Sequence, residues 1–213
     1  MKKPILVLIV MAFCLIVPSS VLAQAQQAAA EIKDAGGQVV GNAIFTQQSE
    51  GVRISVEVKN LSPGKHGIHI HAQGRCDPPG FTTAGGHFNP YEKQHGALNP
   101  MGPHAGDVPN LDVAQDGTGK LDYTDMLVTL ASGPDNSLFK TNGTSLVIHA
   151  NPDDEKTDPS GNSGTRIACG LILAVPMPSF IEVYGWAIAA VIAIAVIAVA
   201  VVAVKLKKRK PAA

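Results

Sequence analysis

Apolar and polar residues alternate with a period of two through the middle of this chain. Val52, Ile54, Val56 and Val58 are interleaved with polar residues, the pattern of a strand that buries one face and wets the other. Val39, Asn42 and Ile44 belong to a preceding strand pair, with Gly41 as a bulge or close-packing point. Asn60-Leu61-Ser62-Pro63-Gly64 reads as a turn, and Gly67 to Ala72 as the next strand. Later strands are predicted at Lys120 to Tyr123, Met126 to Leu130, Ser145 to Ala150 and Ile167 to Ala174. No segment of this region carries a helical period, so short strands joined by turns predict an antiparallel sandwich or barrel. Gln24 to Ala29 is an alanine-rich lead without strong pattern, which places the domain at residues 30–174. Two stretches break the rhythm, Gln73 to Leu111 and Asn151 to Thr165, both rich in Gly, Pro, Asn and Asp. Loops this long inside a domain usually carry function.

The pattern changes at both ends. Met1, Lys2 and Lys3 precede an apolar run from Pro4 to Pro18, and Val21-Leu22-Ala23 places small or aliphatic residues before a cleavage point after Ala23, so residues 1–23 read as a signal peptide, with an uncleaved anchor helix as the alternative. Cys14 lies inside that apolar run. Residues 175–184 form a linker, and Gly185 to Val204 is a run of Ala, Ile and Val with one Trp, long enough to cross a bilayer as a single helix. Tyr184 and Trp186 mark its interface, and the tail at 205–213 holds Lys205, Lys207, Lys208, Arg209 and Lys210, a basic end that stays cytoplasmic. The domain between is then exported and held at the membrane. With seven of the 17 basic residues in these two ends, ten remain against 17 acidic ones. A net acidic domain excludes nucleic acid as a partner, and an anionic substrate needs local positive charge. In an oxidising compartment Cys76 and Cys169 are expected to pair.

Chemistry enters with the histidines. The chain has seven, and all but His66 join one series with an aspartate: His69, His71, His87, His95, His104, Asp107 and His149. His69 and His71, one residue apart on a strand, project from one face while Ile68 and Ile70 project from the other. His149 repeats the device, with Leu146 and Ile148 turned the opposite way. Three imidazoles on strands and a fourth from the loop suit tetragonal Cu(II), without the thiolate of a blue-copper site. In the loop, His87, His95, His104 and Asp107 offer three nitrogens and one oxygen, the number a closed, structural zinc ion takes. Spacing alone leaves open which loop histidine faces both metals, and whether the second ion is zinc, cobalt or copper.

The stretches Gly67-Ile68-His69-Ile70-His71-Ala72-Gln73-Gly74, Gly85-Gly86-His87-Phe88-Asn89-Pro90, His95-Gly96, His104 to Leu111 and Gly161 to Gly170 resemble copper/zinc superoxide dismutase, in order and over residues 30–174. The resemblance implies an all-β fold, an eight-stranded antiparallel Greek-key β-barrel with two long loops, to which the C-terminal transmembrane helix is added. It implies copper on His69, His71, His87 and His149, and zinc on His87, His95, His104 and Asp107, with His87 bridging. It further implies a Cys76 to Cys169 disulfide, Arg166 beside the copper, and Asp153 as a carboxylate linking His71 and His95. Arg75 and the short spacing from His71 to Cys76 depart from the animal cytosolic pattern, as does the shorter loop at Asn151 to Thr165, which leaves substrate steering and the part of Lys156 open.

The activity so implied is conversion of superoxide, the small-molecule substrate, to dioxygen and hydrogen peroxide by Cu(II)/Cu(I) cycling. Arg166 would dock the anion and His87 would carry a proton. A copper-only dismutase would lack zinc ligands, and a copper chaperone would need a delivery module, for which the chain has no Cys-x-x-Cys pair. A catalytically silent copper-binding or adhesion module is the alternative; it would be expected to lack a copper ligand or the arginine. Monomer and homodimer both remain open, as does glycosylation at Asn60 and Asn142.

Overall fold

The strict alternation at Val52 to Val58 is realised as a strand whose apolar residues face inward and whose polar residues face water. The computed structural model describes residues 26–176 and 180–207; the expected signal peptide at 1–23, with Cys14, lies outside the described residues, as do 177–179 of the linker and 208–213 of the tail. Among the described residues nine strands follow one another: β1 Gln27–Asp34, β2 Val39–Gln48, β3 Gly51–Val58, β4 Gly64–His71, β5 Asp107–Val113, β6 Gly119–Asp125, β7 Ser145–His149, β8 Arg166–Leu171 and the two-residue β9 Leu173–Ala174. They pair antiparallel in the order β2-β3-β6-β5-β4-β7-β8-β1, and the pairing of β1 with β2 closes the sheet into an eight-stranded barrel; β9 continues the line of β8 beyond Ile172 and also pairs with β1. The connections from β3 to β4 and from β6 to β7 each pass over two intervening strands, the Greek-key arrangement.

Closure removes the exposed edges that an open sheet would present. Inside, Phe45, Ile54, Ile68, Leu111, Leu146 and Ile148 are fully buried, each worth roughly 1.5–3 kcal/mol of transfer free energy. The β5–β6 seam is the loosest, with Val113 opposite Gly119 as its one paired position.

Three differences from the sequence reading have physical causes. β1 begins at Gln27, within the stretch read as a featureless lead, because Ala28, Ala30 and Ile32 alternate inward; alanine is small enough for the strand to look unpatterned. β5, Asp107–Val113, begins within the stretch assigned to the first loop, where Pro109 and the polar residues Asp107 and Asn110 conceal it. Met126 to Leu130 is not a strand. Val128 and Leu130 are buried in alternation, but the backbone N–H of Leu130 and the hydroxyl of Thr129 both donate to the Gln47 side-chain oxygen instead of to a neighbouring strand.

A disulfide joins Cys76 to Cys169 with 5.6 Å between their α-carbons, stapling the first loop to β8. It sits in a small second core with Phe81, Ala84 and Val147, on the outward face of β7. The chain-entropy model assigns closure of so long a loop roughly 4.5 kcal/mol.

Among its described residues the C-terminal unit holds one helix, α1, Phe180–Lys207. It begins within the stretch expected to be linker, and its segment Tyr184–Val201 is long and apolar enough to cross a bilayer. Replacing the fully buried Phe45 with alanine is expected to lower the unfolding free energy of the barrel by about 3–5 kcal/mol in denaturant titration. A loss below ~1 kcal/mol would contradict the core described here.

Candidate metal centre

β4 is buried along both faces at its C-terminal half, so Ile68 and Ile70 enter the barrel core while His69 and His71 face outward yet are fully shielded. β7, paired with β4, ends at His149. The cover is the first loop, whose segment around His87 is stitched to the end of β4. The N–H of Ala72 donates to the Gly86 carbonyl, that of Phe88 to the Ile70 carbonyl, and that of Ile70 to the Gly106 carbonyl. His87 thereby lies against both strand histidines, with ring centroids 4.0 Å from His69 and 5.0 Å from His71. On its other side it lies 5.1 Å from His95 and 5.5 Å from His104.

Two groups of ligand atoms result, each with all members within 4.8 Å of one another: His69, His71, His87 and His149, and His87, His95, His104 and Asp107. His87 belongs to both. In the first group every ring ties one nitrogen to the protein. His69 Nε2 is bonded to Asp153 Oδ2 (2.7 Å), His71 Nδ1 to the Gly85 carbonyl (2.9 Å), His149 Nδ1 to the Gly164 carbonyl (3.2 Å) and His87 Nδ1 to Asp107 Oδ1 (2.9 Å). None of the remaining nitrogens is tied to backbone or carboxylate. His69 Nδ1 and His87 Nε2 are buried without a hydrogen bond, and the Nε2 atoms of His71 and His149 face each other at 3.4 Å. Four buried nitrogens left for a common centre fit a copper ion.

In the second group the Nδ1 atoms of His87, His95 and His104 converge on one oxygen, Asp107 Oδ1, at 2.9, 3.0 and 3.2 Å. The other oxygen of Asp107 accepts the backbone N–H groups of Gly96 and His104, at 2.8 and 2.9 Å, which fixes the carboxylate. Three nitrogens and one oxygen in this arrangement fit zinc.

Asp153 joins the groups, with one partner different from expectation. Its carboxylate bonds His69 (2.7 Å) and His95 (2.9 Å), not His71 and His95. His71 is already held by the Gly85 carbonyl on the opposite side. The room for Asp153 is made by Gly161, at φ +60°, where a β-carbon would fall 1.6 Å from Asp153 Oδ1. His66, the histidine outside the series, is buried between the His149 and Ser62 carbonyls, each 2.8 Å from a ring nitrogen. Its role is to tie backbone to backbone.

Electrostatics follows from burial and these partners. Burial, with the neighbouring histidines, pushes His69 down to about 3 and His149 down to about 4; His71 and His87 are lowered by the same cause. All four are neutral near pH 7, the state a metal requires. For His95 burial acts downward but is outweighed by Asp107 and Asp153, which carry it up to about 9. Burial likewise opposes ionisation of Asp107 and Asp153, yet their histidine donors hold both well below the usual carboxylate range.

Arg166 lies on β8 opposite His149. Its guanidinium donates to the carbonyls of Phe81 (2.7 Å) and Gly85 (2.6 Å). Gly85 thus holds both the arginine and His71. All eleven residues singled out from the sequence, including the disulfide pair, are within this centre or fastened to its cover. The carbonyls of Gly85, Gly164 and Phe81 were not legible, since a backbone acceptor leaves no mark on residue type.

A family model described as copper/zinc superoxide dismutase matches residues 39–172. This chain belongs to the copper/zinc superoxide dismutase family. Superoxide dismutase (Cu-Zn) 1 of Aquifex aeolicus (strain VF5) is 48% identical over 162 residues, covering 76% of this chain and 96% of the relative. Superoxide dismutase (Cu-Zn) of Caulobacter vibrioides (strain ATCC 19089 / CIP 103742 / CB 15) is 40% identical over 147 residues, covering 68% and 84%. Among solved structures, a SOD-like protein from Bacillus subtilis superposes with a TM-score of 0.66 at 39% identity, covering 68% of this chain and 97% of that one. Membership makes the chain a copper/zinc superoxide dismutase by class, with copper and zinc as the implied cofactors and superoxide as the substrate.

The histidine shifts predict how the metal-free protein responds to pH. A histidine held below 6.5 stays neutral in the folded state while the unfolded chain takes up a proton, so stability falls as pH drops below 6.5. His69, His71, His87 and His149 act in this sense. His95 is protonated in both states there, and Asp125, pushed up to about 7 by burial, offsets one proton. Denaturant titrations of chelator-treated protein from pH 7 to 5 are therefore expected to show stability falling by more than the ~1.4 kcal/mol per pH unit of a single proton. A flat or rising profile on acidification would contradict these environments.

Proposed function

We propose that this chain dismutates superoxide at the outer face of a membrane. The reading holds copper on His69 Nδ1 and the Nε2 atoms of His71, His87 and His149, and zinc on the Nδ1 atoms of His87, His95 and His104 with Asp107 Oδ1. The observation that carries it is the double membership of His87, one nitrogen in each group of ligand atoms. Bound copper would supply the one-electron cycle between Cu(II) and Cu(I) by which two superoxide ions and two protons become dioxygen and hydrogen peroxide, while zinc would supply fixed positive charge.

The chain's own residues account for the rest. Arg166 is charged throughout the physiological range, and two carbonyls hold its guanidinium beside His71 and His149, where it can dock a small anion. This is the local positive charge that a net acidic exported part requires. His87 Nε2 can carry a proton while Nδ1 stays in the group assigned to zinc, which would keep the ring in place for the proton's delivery to peroxide. Asp153 orients His69 and His95 together. Against the silent-module alternative stands the presence together of the four histidines assigned to copper, with Arg166 fastened beside them.

For location, residues 1–23 direct export, the barrel domain follows, residues 185–204 span the bilayer within α1, and the basic tail at 205–213 stays cytoplasmic. With copper and zinc supplied, the full chain in detergent micelles is expected to consume superoxide, and His149→Ala to abolish turnover while retaining one zinc per chain by metal analysis. Unchanged activity in His149→Ala would refute the copper assignment.

A further inference from the structure

β4 and β5 pair with a break in register: His66 lies opposite Leu111 and Ile68 opposite Val108, so Gly67 alone on β4 faces two residues, Pro109 and Asn110, on β5. Two residues against one is a β-bulge, a device that turns a side chain out of the ladder. Pro109 has no N–H to leave unpaired there. Gly67 keeps the space above the bulge clear, since a β-carbon at that position would lie 2.7 Å from the Ser163 β-carbon and 3.4 Å from that of Asp153.

The side chain so freed is the Asn110 amide. Its nitrogen donates to the backbone carbonyl of Asp153 (2.8 Å), and its oxygen accepts the backbone N–H of the same residue (2.8 Å). A single amide thus reproduces both hydrogen bonds of a strand partner, and at neutral pH no other residue type of this length offers a donor and an acceptor together, aspartate being acceptor-only when ionised. Asp153 carries the carboxylate that reaches one histidine of each ligand group, His69 and His95. Its backbone lies in the second long loop, far from β5 in sequence.

We propose that Asn110 is a positioning residue for both metal sites. Acting through the backbone of Asp153, it sets the carboxylate that orients His69 and His95, and the Pro109-Asn110 bulge exists to aim it. The inference rests on the assignment of His69 to copper and His95 to zinc. Asn110 touches neither group directly and no reacting atom.

The test is a double-mutant cycle on the full chain in detergent micelles, with Asn110→Ala, Asp153→Asn and the pair, reading Cu(II) and Zn(II) affinity by chelator competition and the Cu(II) EPR spectrum. Asn110→Ala is expected to weaken both affinities about 10-fold or more and to alter the copper hyperfine splitting. In the Asp153→Asn background the same substitution is expected to change affinity by about twofold or less. Asn110→Asp, which keeps the acceptor but sets a carboxylate against the Asp153 carbonyl and Glu155, is expected to weaken both affinities at least as much as Asn110→Ala, and supplies the cycle if the alanine variant does not fold. Equal losses with and without the Asp153 carboxylate, or affinities and spectra unchanged in the single variant, would overturn the proposal. Failure to bind either ion in the unsubstituted chain would instead sink the metal assignment beneath it.

Discussion

The centre depends on one imidazole being held between two clusters at once. His87 stacks on His69 at 4.0 Å and reaches Asp107 at 2.9 Å, so each ligand group is complete only if the loop that carries His87 closes onto the end of β4. That closure is backbone hydrogen bonding at Gly86, Phe88 and Gly106, reinforced by the Cys76 to Cys169 staple. The neighbouring rings sit in an interior that strongly disfavours charge on them, and the carboxylates of Asp107 and Asp153 hold the donors that remain. Without an ion, the four depressed histidines are a destabilising load that the barrel core must offset. With an ion in the proposed site, the same neutrality would leave their free nitrogens able to act as ligands.

The barrel matters to this chemistry because it is closed. Strands β4 and β7 have their inner faces filled by Ile68, Ile70, Leu146 and Ile148, so their outer faces are rigid mounts for His69, His71 and His149. Precision then passes outward through hydrogen bonds: Gly85 to His71 and Arg166, Gly164 to His149, His66 to the backbone of His149. Glycine recurs at these junctions for a steric reason, most plainly at Gly161, where any side chain would occupy the place of the Asp153 carboxylate.

Much of this was legible in the sequence, unevenly. The ligand series was readable because histidine one residue apart on a strand has few other uses, and because the motifs flanking it are distinctive. β3 was readable from Val52 to Val58; β1 was not, since alanine at positions 28 and 30 buries too little to create contrast. The segment 126–130 imitated a strand through Val128 and Leu130, whose inward alternation is supported by Gln47 instead of by a ladder. The partner of Asp153 was misread for a similar reason: two histidines on one face are equivalent in period, and only the fold decides that His69 turns Nε2 toward the second loop while His71 turns Nδ1 toward Gly85. Backbone acceptors and the Asn110 bulge leave no trace in composition.

The most direct measurement is EPR of the protein carrying Cu(II) in the His69, His71, His149 group and Co(II) in place of zinc. If one imidazolate of His87 serves both ions, the spins couple through it and the isolated Cu(II) signal is lost or strongly broadened. A spectrum equal to the sum of two independent ions would contradict the shared histidine on which this account rests.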